Sequence, residues 1–196
     1  MYKIIPMKNY ILVLFLLITT FSFAQKKDCK IDFEEKTDST YIKKTSEVLI
    51  HERVFGNNKE MIFFSLLNSE GVPMLGLQQI QKSTEFIPAL CFDKNSKIIF
   101  QLENGKFVTL VNSSQENCSS LTYDATSKSN IKIITNYFLF VKDNYEDLKK
   151  YPISIMRIIY VADKKDIALK NKMTSELLKD TSAPSSYFID YLHCIE

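Results

Sequence analysis

Polar and apolar positions alternate in short bursts along most of the chain and change to a helical period only near its end. Residues 46–55 (SEVLIHERVF) are rich in β-branched and aromatic side chains and stop at Gly56-Asn57-Asn58, which predicts a strand. Met61 to Leu67 (MIFFSLL) is an unbroken apolar run of strand length, so it reads as buried on both faces. Asn68-Ser69-Glu70-Gly71 turns the chain. Val72 to Ile80 returns, with Pro73 restricting that strand to an edge or to its first residues. In 96–112 (SKIIFQLENGKFVTLVN), Asn104-Gly105 lies between two apolar runs, the pattern of a two-residue type I′ hairpin. Such a turn sets Glu103 opposite Lys106, Ile99 opposite Leu110 and Ile98 opposite Val111. Residues 131–141 (IKIITNYFLFV) predict another strand.

The period then changes. Asp143 can cap a helix with Glu146 three residues on, a capping box. That helix runs over about 144–150, because Pro152 biases Tyr151 away from helix. Ile153 to Val161 and Asp166 to Lys170 form a second hairpin around Asp163-Lys164-Lys165. Ser182, Ala183 and Pro184 open a last helix, on which Tyr187, Phe188, Tyr191, Leu192 and Ile195 make one stripe. About seven strands with few, late helices predict an α+β fold: a mainly antiparallel β-meander with a short helix and a C-terminal helix packed on the sheet. The divisions are a signal peptide over 1–24, an extended N-terminal segment over 25–44 and a single α+β domain over 45–196.

The signal reading rests on three features. Lys3 and Lys8 charge the start, Ile11 to Ile18 is apolar, and Ser22 and Ala24 are small residues before a cut at Gln25. The run is shorter than the roughly 20 residues a membrane span needs. Removing it changes the charge balance. The whole chain has 25 Lys+Arg and 23 Asp+Glu; without Lys3 and Lys8, 23 basic residues face 23 acidic ones. A nucleic-acid partner has no support in a neutral chain without a basic cluster. No second long apolar run suggests a membrane span after cleavage.

The four cysteines, Cys29, Cys91, Cys118 and Cys194, all follow the signal, and an even count in an exported chain suggests disulfides. Extending the hairpin outward sets Cys91 opposite Cys118, with Cα atoms about 5.5 Å apart if they form a hydrogen-bonded pair. Cys29–Cys194 then follows by elimination. Free buried thiols are the alternative.

Chemistry is sparse. The two histidines, His51 in mid-strand and His193 beside Cys194, cannot assemble a zinc site with three ligands. No G-x-S-x-G elbow accompanies His51. With Gly only at 56, 71, 76 and 105, no phosphate loop is possible. The acids over 28–35 lack the spacing of a calcium loop. Glu85 and Asp93 could join a carboxylate pair only in the fold; each reads as a turn residue. No catalytic residue, metal or cofactor is predicted.

The segment CFDKNSKIIFQLENGKFVTLVN, the capped helix, YPISIMRIIYVADKKDIALK and the final YLHC resemble a group of uncharacterised exported proteins of flavobacteria-like bacteria. The likeness covers 45–196. It implies a fold and export, but no activity and no site residue. Asp38-Ser39-Thr40 resembles the short acceptor of O-glycosylation in such bacteria. The expected function is an exported non-catalytic binding or structural domain, its partner an envelope or extracellular protein or a glycan. The alternative is a small-molecule carrier or hydrolase with a pocket between the sheet and the C-terminal helix. N-terminal sequencing of exported protein should begin at Gln25; retention of 1–24 would refute the signal assignment.

Overall fold

A computed structural model describes residues 27–113, 115–141 and 145–196. The signal segment 1–24 and the helix cap at Asp143 lie outside the described residues. The fold is mostly antiparallel sheet with few helices, one of them C-terminal, but the described residues form fifteen strands rather than about seven. The first five are β1 (Ile31–Lys36), β2 (Tyr41–Thr45), β3 (Val48–Phe55), β4 (Asn58–Ser69) and β5 (Val72–Ser83). Then come β6 (Cys91–Phe92), β7 (Lys97–Leu102), β8 (Phe107–Asn112), β9 (Asn117–Cys118), β10 (Ser120–Asp124) and β11 (Ser129–Phe140). The last are β12 (Ile153–Ile159), β13 (Lys164–Ala168), β14 (Met173–Thr174) and β15 (Thr181–Ser182). The additional strands are polar edges such as β1 and β10, the short β2 between β1 and β4, or two-residue pairs. Backbone pairing alone makes them, so no apolar pattern announces them. Within 27–44, β1 and β2 join the sheet, β2 pairing with the end of β4.

Eleven strands form one antiparallel sheet in the order β1-β2-β4-β5-β11-β8-β7-β12-β13, with β3 added to β4 and β10 to β11. Pro73 lies second in β5, just beyond the point where β11 begins to pair at Met74, so no ladder bond is lost there. The sheet must roll. Lys165 on β13 pairs with Glu60 on β4, although six strand spacings of about 4.8 Å would separate them by roughly 29 Å on a flat sheet. Its inner face carries the core: Ile62, Phe64 and Leu66 of β4, Leu75 and Leu77 of β5, Phe138 of β11, and Ile98 and Phe100 of β7.

The C-terminal segment plugs one end of the roll. A 3-10 turn (Pro184–Ser186), a helix (Tyr187–Tyr191) and a second 3-10 turn (Leu192–Ile195) follow one another. The Phe188 ring lies 6.3 Å from Phe64, 5.2 Å from Phe100 and 5.8 Å from Phe140. The Asn68 amide donates to the Ile195 carbonyl at 2.6 Å. The shorter helix Tyr145–Leu148 ends earlier than expected, at Leu148. No helix among the described residues is long and apolar enough to cross a membrane.

The register at Asn104-Gly105 differs from the expected one. The Leu102 N–H donates to the Lys106 carbonyl and the Gly105 N–H to the Leu102 carbonyl, both at 2.9 Å. The loop is therefore the three residues Glu103-Asn104-Gly105, with only Gly105 at positive φ, +83°. Ile98 faces Leu110 and Phe100 faces Val108. The reason is burial: only a register setting even positions against even positions puts Ile98, Phe100, Val108 and Leu110 on one face.

The cysteines still meet. The stretch 112–116 has one residue more than 93–96, and this restores the offset, so Cys91 faces Cys118 across β6 and β9. Both disulfides form, Cys91–Cys118 with Cα atoms 4.0 Å apart and Cys29–Cys194 at 5.5 Å. The 91–118 pair is not the hydrogen-bonded kind expected. Its ladder bond runs next door, from the Ser119 N–H to the Leu90 carbonyl. Disulfides of this kind persist in oxidising compartments.

Gly105→Val should lower stability by about 1–3 kcal/mol, because a β-branched residue is strained at this φ. Asn104→Ala should lose under about 1 kcal/mol, since it removes only the exposed bond from the Lys106 N–H to Asn104 Oδ1. Equal losses in thermal melts would point back to the two-residue turn.

Candidate functional site

The site is set up by a bulge in β3. Leu49 pairs with Phe63 but His51 pairs with Ile62, so Ile50 is an extra residue. A bulge re-aims the residues beyond it. Without it, His51, Arg53 and Phe55 would share the face of Phe63. With it they share the inner face of Ile62 and Glu60. The rest of that face continues in register: Arg53 faces Glu60, Glu60 faces Gln81, and Gln81 faces Lys132 on β11. The plugged end of the roll is therefore apolar and the opposite end is polar. Glu52 is turned to the other face, where its carboxylate accepts from the Ser175 hydroxyl and the Glu176 N–H, both at 2.6 Å. Burial raises its pKa, but these bonds outweigh that and lower it overall.

Behind the polar row lies a buried network. Tyr160 Oη donates to Gln79 Oε1 at 2.5 Å, and Gln79 Nε2 donates to Glu60 Oε1 at 2.6 Å. Lys165 Nζ binds Glu60 Oε2. Gln79 is 1% exposed and Glu60 8%. A buried carboxylate must be paired and hydrogen-bonded, and both oxygens of Glu60 are. Burial raises the Tyr160 phenol pKa, as does nearby Glu60, so it stays a neutral donor. The Tyr160 ring stacks on Phe92 at 4.9 Å. Phe92 adjoins Cys91, which ties the 91–118 disulfide to the end of the network.

His51 Nε2 lies 4.0 Å from Glu60 Oε2, too far for a hydrogen bond, and is buried without a partner. Burial lowers its pKa; Glu60 opposes this, while Lys165, Arg53 and Lys170 reinforce it. The imidazole is thus biased to its neutral form. The network holds no serine or cysteine that a neutral imidazole could activate.

Beside the network is a cavity of about 290 Å³. Glu60 and Gln81 line its interior, Arg53 and Lys59 its side, and Phe55 and Phe86 its rim. Phe86 belongs to the loop between β5 and β6, which is held down by the Asn130 amide donating to the Glu85 carbonyl at 3.1 Å. The Phe55 and Phe86 rings are 73% and 84% exposed. Gln81 Oε1 is buried with no donor. Most of the space between sheet and C-terminal helix, where a pocket was expected, is filled by Phe64, Phe100, Phe140, Tyr187 and Phe188. A second cavity, about 220 Å³, remains on that side, lined by Thr45, Leu49 and Phe63 of the sheet, by Leu178 and by Tyr191 of the helix.

The other candidates are scattered. Asp93 accepts from the Asn95 and Ser96 N–H groups at 2.9 Å in a turn. Glu85 is exposed and not on the cavity lining. His193 Nε2 lies 3.3 Å from Cys29 Sγ, and the three groups Cys29, His193 and Cys194 have metal-type donor atoms within 4.8 Å. The two sulfurs are bonded to each other, which removes them as thiolate ligands. Asp38 and Ser39 are exposed at the turn between β1 and β2. Glu60, Gln79, Gln81, Tyr160 and Lys165 escaped the sequence reading. One signal was available: Glu60 continues the even phase of Ile62, Phe64 and Leu66, and Gln79 and Gln81 the odd phase of Leu75 and Leu77.

No family model matches the chain, and no curated protein or solved structure does.

Tyr160→Phe should leave the Gln79 carbonyl buried without a donor, at about 1–3 kcal/mol. For a chain this size that is a fall in Tm of roughly 3–10 °C. Tyr123→Phe, on a ring 60% exposed, should leave Tm unchanged. Indistinguishable melts for the two variants would show that the network does not stabilise the fold.

Proposed function

We propose that the chain is an exported, non-catalytic binding domain whose ligand site is the cavity at the polar end of the rolled sheet. The observation that carries this reading is the pair of exposed rings, Phe55 and Phe86, at the rim of a cavity with a polar interior. Large apolar surface left in water beside convergent polar groups is the usual mark of a binding site. The absence of turnover is argued from the interior. Glu60 is held on both oxygens, Tyr160 is held neutral, and no nucleophile belongs to the network with His51. A general base needs a free lone pair within reach of its proton. Export is supported by the N-terminal pattern and by the two disulfides.

Titrating isotope-labelled protein with a library of small polar and aromatic fragments tests the reading. Amide shifts should concentrate around Arg53–Lys59 and Gln81–Pro88. The reading fails if no fragment perturbs these segments. It also fails if wild type turns over chromogenic esters or glycosides and a folded Glu60→Gln variant does not.

A further inference from the structure

We infer that the cavity takes an acidic sugar, a ring bearing hydroxyls and a carboxylate such as a uronic acid. This deepens the proposed binding role and rests on it. Three features of the lining each demand something of the ligand, and together they leave one class.

The first is charge. Two ion pairs near the cavity are self-compensated, Glu60 with Lys165 and Lys82 with Asp124. Arg53 and Lys59 line the cavity and form no ion pair among the described residues, although Arg53 stands opposite Glu60 in the strand register. Lys132 is 8% exposed and not part of the lining; its ammonium lies 5.6 Å from the Phe86 ring centroid. Glu85 is the neighbouring acid, and it does not line the cavity. The local surplus is therefore positive in a chain that is neutral overall beyond residue 24. An anion is the complement, and Arg53 presents the planar fork that suits a carboxylate.

The second is the orphan acceptor. Gln81 Oε1 is buried and receives no hydrogen bond. A buried acceptor without a donor is unfavourable, and a rotation of the Gln81 side chain toward the cavity it lines lets a ligand hydroxyl supply that donor. Asn58 and Ser83, already joined at 2.5 Å, add further polar atoms to the wall. The third is the rim, where two aromatic faces offer flat apolar surface to the C–H face of a ring.

Competing ligands each miss one demand. An aromatic carboxylate meets the rings and the charge but brings no hydroxyl to Gln81. A neutral sugar meets the rings and Gln81 but leaves the cations uncompensated. Inorganic phosphate has no apolar face. At about 290 Å³ the cavity lies at the small end of ligand sites, which suits one or two sugar rings.

The test is calorimetric titration of the folded protein with digalacturonate and diglucuronate, against cellobiose and benzoate. A uronate should bind at least about tenfold tighter than either control, and added salt should weaken it. Arg53→Gln should raise its Kd about 10–100-fold, the range for a hydrogen bond to a charged group. Phe86→Ala should also weaken it, and both variants, being at exposed positions, should keep the wild-type Tm. Equal binding of cellobiose and uronate, tighter binding of benzoate, or an unaffected Arg53→Gln variant would overturn the inference. If fragments bind at the cavity and no uronate does, the ligand class is wrong while the binding role stands. If nothing binds there, both fall.

Discussion

Glu60 is a carboxylate inside a protein core, and that is the constraint around which the polar end of the molecule is arranged. Left alone in such a place it would be prohibitively unfavourable. Its partners come from far along the chain: Gln79 from the next strand, Lys165 from the last strand of the main sheet. Meeting that requirement requires the sheet to roll until β13 reaches β4. The Tyr160–Gln79 bond imposes the same curvature, because it joins strands that a flat sheet would hold roughly 19 Å apart. Buried ion pairs contribute little net stability, and removing one partner is costly. Their effect here is geometric.

The roll has two unlike ends because β4 changes character along its length. From Ile62 to Leu66 its inner face meets aromatic rings of the C-terminal segment, and the space is filled. At Glu60 that face turns polar, the bulge in β3 brings His51, Arg53 and Phe55 alongside, and the loop carrying Phe86 covers the end incompletely. The closed end gives the chain its core and the open end leaves a cavity with a polar interior. The disulfides follow this division. Cys29–Cys194 ties the N-terminal strand region to the plug, whereas Cys91–Cys118 holds Phe92 against Tyr160 and so steadies the polar end.

His51 shows how little residue type alone reveals about role. A histidine in mid-strand is ordinary. One carried inward by a bulge, biased to its neutral form by burial and placed 4.0 Å from a saturated carboxylate, has no serine or cysteine in that network to activate.

Several features were legible in the residues themselves, because their causes are local. β-branched and aromatic runs made the strands β3, β4, β5, β7, β8, β11 and β12. Pro184 and the stripe from Tyr187 to Ile195 made the terminal helix, and an even set of cysteines outside a signal-like segment made disulfides. Other features had no local cause. The polar edges β1 and β10 exist only because a neighbour offers backbone partners. The hairpin register at Gly105 was decided by which faces of two strands had to be buried together, a demand that overrode the two-residue turn. The bulge at Ile50 set which residues of β3 face inward, and the roll brought Tyr160 and Lys165 to a carboxylate about a hundred residues earlier in the chain. Sequence by itself determined the apolar strands and made the cross-links an expectation. Only the tertiary structure decided the site, since a buried charge finds its partners through sheet curvature, which no single stretch of chain encodes.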